Sequence, residues 1–122
     1  DGYKPDGAVL EFTKGYGDKF ALETDPFMAA SGADILITDT WTSMGEEAEK
    51  EERKKIFKDY QINRQLLAAA NAGAMVMHCL PAYRGQEITE EVFEEHADEI
   101  FNEAENRLHA QKAVMVKLMK KD

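Results

Sequence analysis

Ala74-Met75-Val76-Met77-His78-Cys79-Leu80-Pro81 is the stretch that decides the fold. Four apolar residues follow a glycine and run into a proline, which has no N–H to give a ladder and so ends a strand. A second run, Asp34-Ile35-Leu36-Ile37-Thr38-Asp39, is equally compact and closes on an acid. Its continuous apolar character predicts a strand buried on both faces of a parallel sheet.

Helical signals lie between and around these runs. Glu46 to Lys58 is dense in charge, and Glu46/Lys50, Glu49/Arg53 and Glu51/Lys55 stand four residues apart with the acid first. That order supports an exposed helix, with Ile56 and Phe57 starting its buried end. Ile62 to Asn71 reads as another helix, with Leu66, Leu67 and Ala70 as its apolar face. Upstream, Asp6 caps a short helix within Pro5 to Lys14. Lys19 to Thr24 alternates weakly as a strand, and Asp25-Pro26 opens a helix from Phe27 to Ser31. Downstream, Thr89 caps a helix whose first turn carries Glu90 and Glu91, at the positive end of the helix dipole. A last helix is predicted over about 106–120, with Lys117, Lys120 and Lys121 at its negative end. Strands alternating with helices imply parallel pairing through right-handed crossovers, with ligands gathering at the carboxyl ends of the strands. Asp39 and the His78-Cys79-Leu80 run lie at those ends.

Composition sets the outer limits. The 122 residues carry 15 Lys and Arg against 24 Asp and Glu, a net charge of −9, with 43% hydrophobic and 32% charged residues. This is the balance of one globular domain rather than a disordered chain. No apolar stretch approaches the roughly 18 residues of a membrane helix, and Asp1-Gly2-Tyr3-Lys4 has no basic-then-apolar signal layout, so no membrane partner and a soluble compartment are expected, with the cytoplasm as the expected location. Nucleic acid is not an expected partner either, because the phosphate backbone is held by clustered Lys and Arg. The single cysteine excludes an internal disulfide and any zinc site of several thiolates. His78, His96 and His109 are too widely spaced to put two metal ligands on one helix face. No glycine-rich phosphate loop with dinucleotide or P-loop spacing occurs.

Three residues could carry chemistry. Asp39 is followed by the bend-prone Thr40-Trp41-Thr42-Ser43-Met44-Gly45, which would hold a carboxylate beside a loop in a ligand crevice, where it suits an ammonium. Position alone equally allows Asp39 to cap the next turn and Trp41 to be core. Cys79 sits where a strand emerges, and a free cysteine there is more often inert core. His78 and Cys79 are adjacent on a strand and so face opposite ways, which excludes a thiolate–imidazolium pair. Arg107 could grip a phosphate or carboxylate with its fork of donors, although a surface ion pair with Glu103 or Glu105 is the commoner fate.

The words Asp39-Thr40-Trp41-Thr42-Ser43-Met44-Gly45, His78-Cys79-Leu80-Pro81 and Glu103-Ala104-Glu105-Asn106-Arg107-Leu108-His109-Ala110-Gln111-Lys112-Ala113 together resemble ornithine carbamoyltransferases. Tyr60-Gln61-Ile62-Asn63 and Arg84-Gly85-Gln86-Glu87-Ile88-Thr89 stand in the same order, so the resemblance covers nearly the whole chain. It implies carbamoyl transfer from carbamoyl phosphate to the δ-amine of L-ornithine, giving citrulline and phosphate in arginine synthesis or breakdown. It implies no metal and no organic cofactor, and a homo-oligomer, a trimer, for the full-length enzyme.

By the same resemblance Asp39, Ser43 and Met44 bind ornithine, with Ser43 and Met44 on a mobile loop that closes over it. Cys79 and Leu80 line the reacting centre and, with Arg107, contact carbamoyl phosphate, while Asp39 and Cys79 are the catalytic pair. The Leu80–Pro81 bond is expected to be cis. The implied fold is α/β: part of a doubly wound, Rossmann-like parallel-sheet ornithine-binding domain lacking its first strands. Residues 1–122 would form this partial domain, with the carbamoyl-phosphate domain absent. Phe20 to Thr24 and Ile35 to Thr38 would then lack their usual neighbours, and the chain alone is expected to be inactive. Two alternatives stand beside this reading. One is a sister carbamoyltransferase for putrescine or an acylated ornithine, against which Ser43-Met44-Gly45 speaks. The other is a noncatalytic amino-acid-binding or assembly module.

Overall fold

The computed structural model describes residues 3–42 and 47–120. Two strands, β1 (Ile35–Thr38) and β2 (Met75–His78), pair in parallel with Ile35 opposite Met75 and Thr38 opposite His78. Among the described residues, six α-helices accompany them in chain order: α1 (Gly7–Thr13), α2 (Pro26–Ala30), α3 (Lys50–Phe57), α4 (Arg64–Ala69), α5 (Glu90–Glu95) and α6 (Ala97–Met119). The sequence explains where several of them begin. Asp6, Asp25 and Thr89 accept from the first free backbone N–H groups of α1, α2 and α5, and Asn63 does the same for α4.

The core lies on one side of the sheet. Leu36 and Val76 point into it, where they meet Ala30, Ile62, Leu66, Ile88, Val92, Phe93 and Ile100. Burying an aliphatic side chain of this kind contributes about 1.5–3 kcal/mol. The expected burial of the first strand on both faces is therefore corrected. Ile35 and Ile37 are 47% and 67% exposed, because α2, α4, α5 and α6 supply core residues only to the Leu36/Val76 side.

Other boundaries also shift. Lys19–Thr24 forms no strand: Lys14–Lys19 is a 3-10 turn and no described segment runs alongside Phe20–Glu23 to make a ladder. The charged segment keeps its Glu49–Arg53 pair at 3.0 Å, but Glu51 takes Lys54, three residues on, in place of Lys55. Glu46 lies outside the described residues. Ile56 is exposed, and Phe57 joins a half-open ring cluster with Tyr3, Trp41 and Tyr60. Ile62 stands before α4 and bridges to Ile88, so the helix starts two residues later than expected. The last helix begins at Ala97, nine residues before the expected Asn106. Asp98 and Glu99 occupy its first turn, the start signal that acids give at a helix N-terminus.

The bridge at Ile62 ties two distant sequence words together. Ile62 N–H donates to the Glu87 carbonyl at 2.8 Å, Thr89 N–H donates to the Ile62 carbonyl at 3.0 Å, and the Gln61 side chain donates to the Gln86 carbonyl at 2.6 Å. The segment 84–89 thereby closes the loop that follows β2 onto the body of the fold. Among the described residues, no helix is long and apolar enough to cross a membrane.

Candidate active site

Parallel neighbours end side by side, so the residues just past β1 and β2 meet at the carboxyl edge of the sheet. Asp39 and Cys79 are those residues, and the Cys79 thiol donates to Asp39 Oδ1 at 3.2 Å. Cys79 is exposed, which corrects the inert-core expectation for a lone cysteine at a strand end. Asp39 Oδ1 also accepts from the Thr40 N–H at 2.7 Å, so the same carboxylate both caps the turn and faces the thiol. Although the residue is exposed, partial desolvation of its sulfur pushes the Cys79 thiol up from its ordinary value, and the hydrogen bond and charge of Asp39 push it further. Cys79 is consequently a neutral thiol near pH 7, a hydrogen-bond donor rather than a thiolate nucleophile.

His78 turns the other way, as the alternation of a strand requires, and is fully buried. Its Nδ1 accepts from the Leu80 N–H at 3.0 Å, which leaves Nε2 to donate to Glu87 Oε1 at 3.0 Å. Glu87 is also fully buried, and the same oxygen accepts from the Tyr83 N–H at 2.6 Å. Together these bonds hold both ends of the turn 79–83. Leu80 adopts φ 55°, a left-handed conformation rare outside glycine, and the Leu80–Pro81 bond is cis, as the resemblance implies. Neither the Glu87 pairing nor its burial was legible from spacing, because its partner lies nine residues away across the turn.

Asp39, His78 and Cys79 each bring one ligand-type atom within 4.8 Å of the others, a grouping that histidine spacing alone does not reveal. Both His78 ring nitrogens are already engaged within the protein, however, so the set offers a carboxylate and a thiol rather than three open ligands.

The third candidate comes from α6. A cavity of about 340 Å³ is lined by Cys79 together with Glu103, Ala104, Asn106, Arg107 and Ala110. Arg107 sits within the helix rather than at its start. Among the described residues it pairs with neither Glu103 nor Glu105, contrary to the surface-pair expectation; Glu105 lies 3.5 Å from His109 instead. Glu103 Oε2 is buried and has no hydrogen-bond partner among the described residues. Cys79 and Arg107 thus share one wall, while Ser43 and Met44 lie outside the described residues. Just before them in sequence, the Trp41 carbonyl accepts from Arg53 at 3.2 Å.

A parallel α/β sheet with a carboxylate and a thiol at its carboxyl edge, and a guanidinium unpaired among the described residues beside them, is an arrangement that can hold a small charged molecule. Residues 1–118 match the family described as "Aspartate/ornithine carbamoyltransferase, Asp/Orn binding domain", and the chain belongs to that family. It is 53% identical to the ornithine carbamoyltransferase of a Nitratiruptor species, over 98% of this chain and 40% of that protein. The ornithine carbamoyltransferase of Methanosarcina mazei gives the same identity and the same shares. The solved anabolic ornithine carbamoyltransferase of Campylobacter jejuni superposes with a TM-score of 0.90 at 45% identity, covering 97% of this chain and 40% of that one. An acetylornithine transcarbamylase complexed with acetylcitrulline matches less well, at TM-score 0.74 and 26% identity over 98% of this chain and 37% of that one. The chain spans about 40% of the length of the curated relatives it matches.

Proposed function

We propose that this chain forms the ornithine-side part of an ornithine carbamoyltransferase, active when joined by the portion of its relatives that it does not span. One observation carries the reading: Cys79, bonded to Asp39 at 3.2 Å, lines the same cavity as Arg107. The reaction needs opposite charges at its two ends. The δ-ammonium of ornithine cannot attack until it loses a proton, and the phosphate that departs carries the C–O electron pair and must be stabilised. Asp39 holds the amine and draws its proton, with the Cys79 thiol beside the attacking nitrogen. The amine then forms the new C–N bond to the carbamoyl carbon while the C–O bond to phosphate breaks; the second amine proton passes to the departing phosphate, whose charge Arg107 takes up. Leu80 presents its carbonyl to the carbamoyl nitrogen, and Ser43 and Met44 close over ornithine.

Residues 1–122 are read as part of the ornithine-binding domain, with upstream strands completing its sheet. The exposed Ile35 and Ile37 leave an apolar face of the two-stranded sheet for further helices of such a domain to cover. Free ornithine is favoured over an acylated ornithine by Ser43-Met44-Gly45 and by the curated ornithine carbamoyltransferases at 53% identity over 98% of this chain; the solved structures separate the two less sharply, at 28–47% for ornithine enzymes against 26% for the acetylornithine enzyme. A cytoplasmic homotrimer serving arginine metabolism follows from the resemblance.

The test is citrulline formation from carbamoyl phosphate and L-ornithine, with the chain alone and mixed with the N-terminal portion of the Nitratiruptor relative. Activity only in the mixture is the expected result. Silence of the mixture, with no ornithine binding to the folded chain, refutes the reading.

A further inference from the structure

Glu99 is the third residue of α6, where an acid ordinarily reaches back to the N–H of the N-cap residue. That residue is His96, and its N–H is already spent on the Val92 carbonyl at the end of α5. Glu99 therefore reaches outward. Its Oε2 accepts from the Val76 N–H of β2 at 2.8 Å and from His96 Nδ1 at 2.9 Å. Met75 N–H points the other way, to the Asp34 carbonyl at the start of β1, so Val76 N–H lies on the free edge of β2 and Glu99 is its acceptor. The bond crosses from strand to helix at one point, a few residues before both reach the cavity.

The two elements run onward together from that point. Cys79 stands three residues further on, just past the end of β2, about 10 Å at the rise of a strand. Arg107 stands eight residues further along α6, about 12 Å at the rise of a helix and two steps of four on the same face. Glu103, the intermediate step, lines the cavity with both. The strand-to-helix bond thus sets how far α6 has advanced when it passes Cys79.

We propose that Glu99 is a positioning residue for Arg107: by fixing α6 to the Val76 N–H, it sets the distance between the guanidinium and the reacting centre at Cys79. The consequence for turnover rests on the carbamoyltransferase reading; the geometric claim does not. Loss of the bond lets α6 slide on β2, and a displacement near 1 Å at a reacting group costs up to about a hundredfold in rate.

Two measurements test it. In the active mixture, Glu99→Ala is expected to raise KM for carbamoyl phosphate about tenfold while KM for ornithine stays within about twofold. Glu99→Gln keeps an oxygen for Val76 and is expected to restore most of the loss. Ile100→Val, which thins the adjacent core at a cost of about 0.5–1.5 kcal/mol, should lower the melting temperature without moving either KM. An unchanged carbamoyl-phosphate KM in folded Glu99→Ala, or an equal rise in Ile100→Val, overturns the proposal. The second measurement needs no activity. With Arg107→Cys placed beside the native Cys79, bifunctional thiol reagents of graded length should cross-link at one preferred length when Glu99 or Glu99→Gln is present. Glu99→Ala should broaden that preference. An identical length profile in all three removes the positioning role. Silence of the wild-type mixture, with no ornithine binding to the folded chain, would refute the carbamoyltransferase reading and leave this profile to decide the geometric claim.

Discussion

Asp39→Asn deletes one negative charge beside Cys79 at nearly constant shape and leaves an amide oxygen able to accept from the thiol. The Sγ–Oδ1 separation is 3.2 Å, so a thiolate would stand about 4 Å from the centre of the carboxylate charge. Cys79 is exposed, and the dielectric of water is the appropriate screen. Two charges at that distance repel by about 1 kcal/mol in water, which corresponds to about fivefold in the thiolate population. A thiol whose pKa falls is also a weaker nucleophile, with a Brønsted slope of about 0.4–0.5, so roughly half of the logarithmic gain is returned. The expected rise in alkylation rate is about two- to threefold. Iodoacetamide under pseudo-first-order conditions at pH 7.5, followed by mass, reads this site alone because the chain has one cysteine. In 6 M guanidinium the two variants should react equally, and 1 M salt should shrink the difference because the Debye length falls to about 3 Å. Equal rates in the folded variants at low salt, or slower reaction of Asp39→Asn, would refute the claim that the carboxylate holds Cys79 as a thiol.

Three further outcomes can be measured on the folded chain. Ile88→Ala empties a fully buried core position beside the Ile62 bridge and should cost about 2–5 kcal/mol by urea unfolding. Thr89→Ala removes the cap whose hydroxyl accepts from Val92 N–H and should cost about 1 kcal/mol in the same assay. Glu99 supplies a pH dependence. Burial raises its carboxyl, but the Val76 N–H and His96 bonds outweigh burial and hold it below the ordinary carboxylate value. A depressed carboxylate contributes stability that is present above the ordinary value and is lost as pH falls through the lower folded one. Glu99→Gln should therefore flatten the fall of melting temperature between pH 5 and pH 3, and an unchanged slope would show that Glu99 does not contribute to it.

What could be read from the sequence was what its local periodicity and chemistry determine. Ile35–Thr38 and Met75–His78 announce themselves as apolar runs between punctuation, and Asp6, Asp25 and Thr89 cap the helices they precede because their side chains reach only a few residues. Asp39 and Cys79 could be placed at strand ends from parallel topology, and their contact then follows from the register of Thr38 opposite His78. Where a partner comes from elsewhere in the chain, the reading stops. Lys19–Thr24 alternates like a strand, yet a strand exists only beside another chain segment. Arg107 lies between acids that suggest ion pairs, yet its face is set by how α6 lies along β2.

Glu99 marks that boundary most sharply. In isolation His96-Ala97-Asp98-Glu99 is a helix start whose third-position acid turns back on its own cap. That arrangement is unavailable here because His96 is both the C-cap of α5 and the N-cap of α6, and a single backbone N–H cannot serve both helices well. Once Val92 has taken the His96 N–H, the Glu99 carboxylate is left with the nearest unpaired donor, and the edge of β2 presents one at Val76. The tight junction between two helices thereby converts a local capping residue into a tie between the strand that carries Cys79 and the helix that carries Arg107.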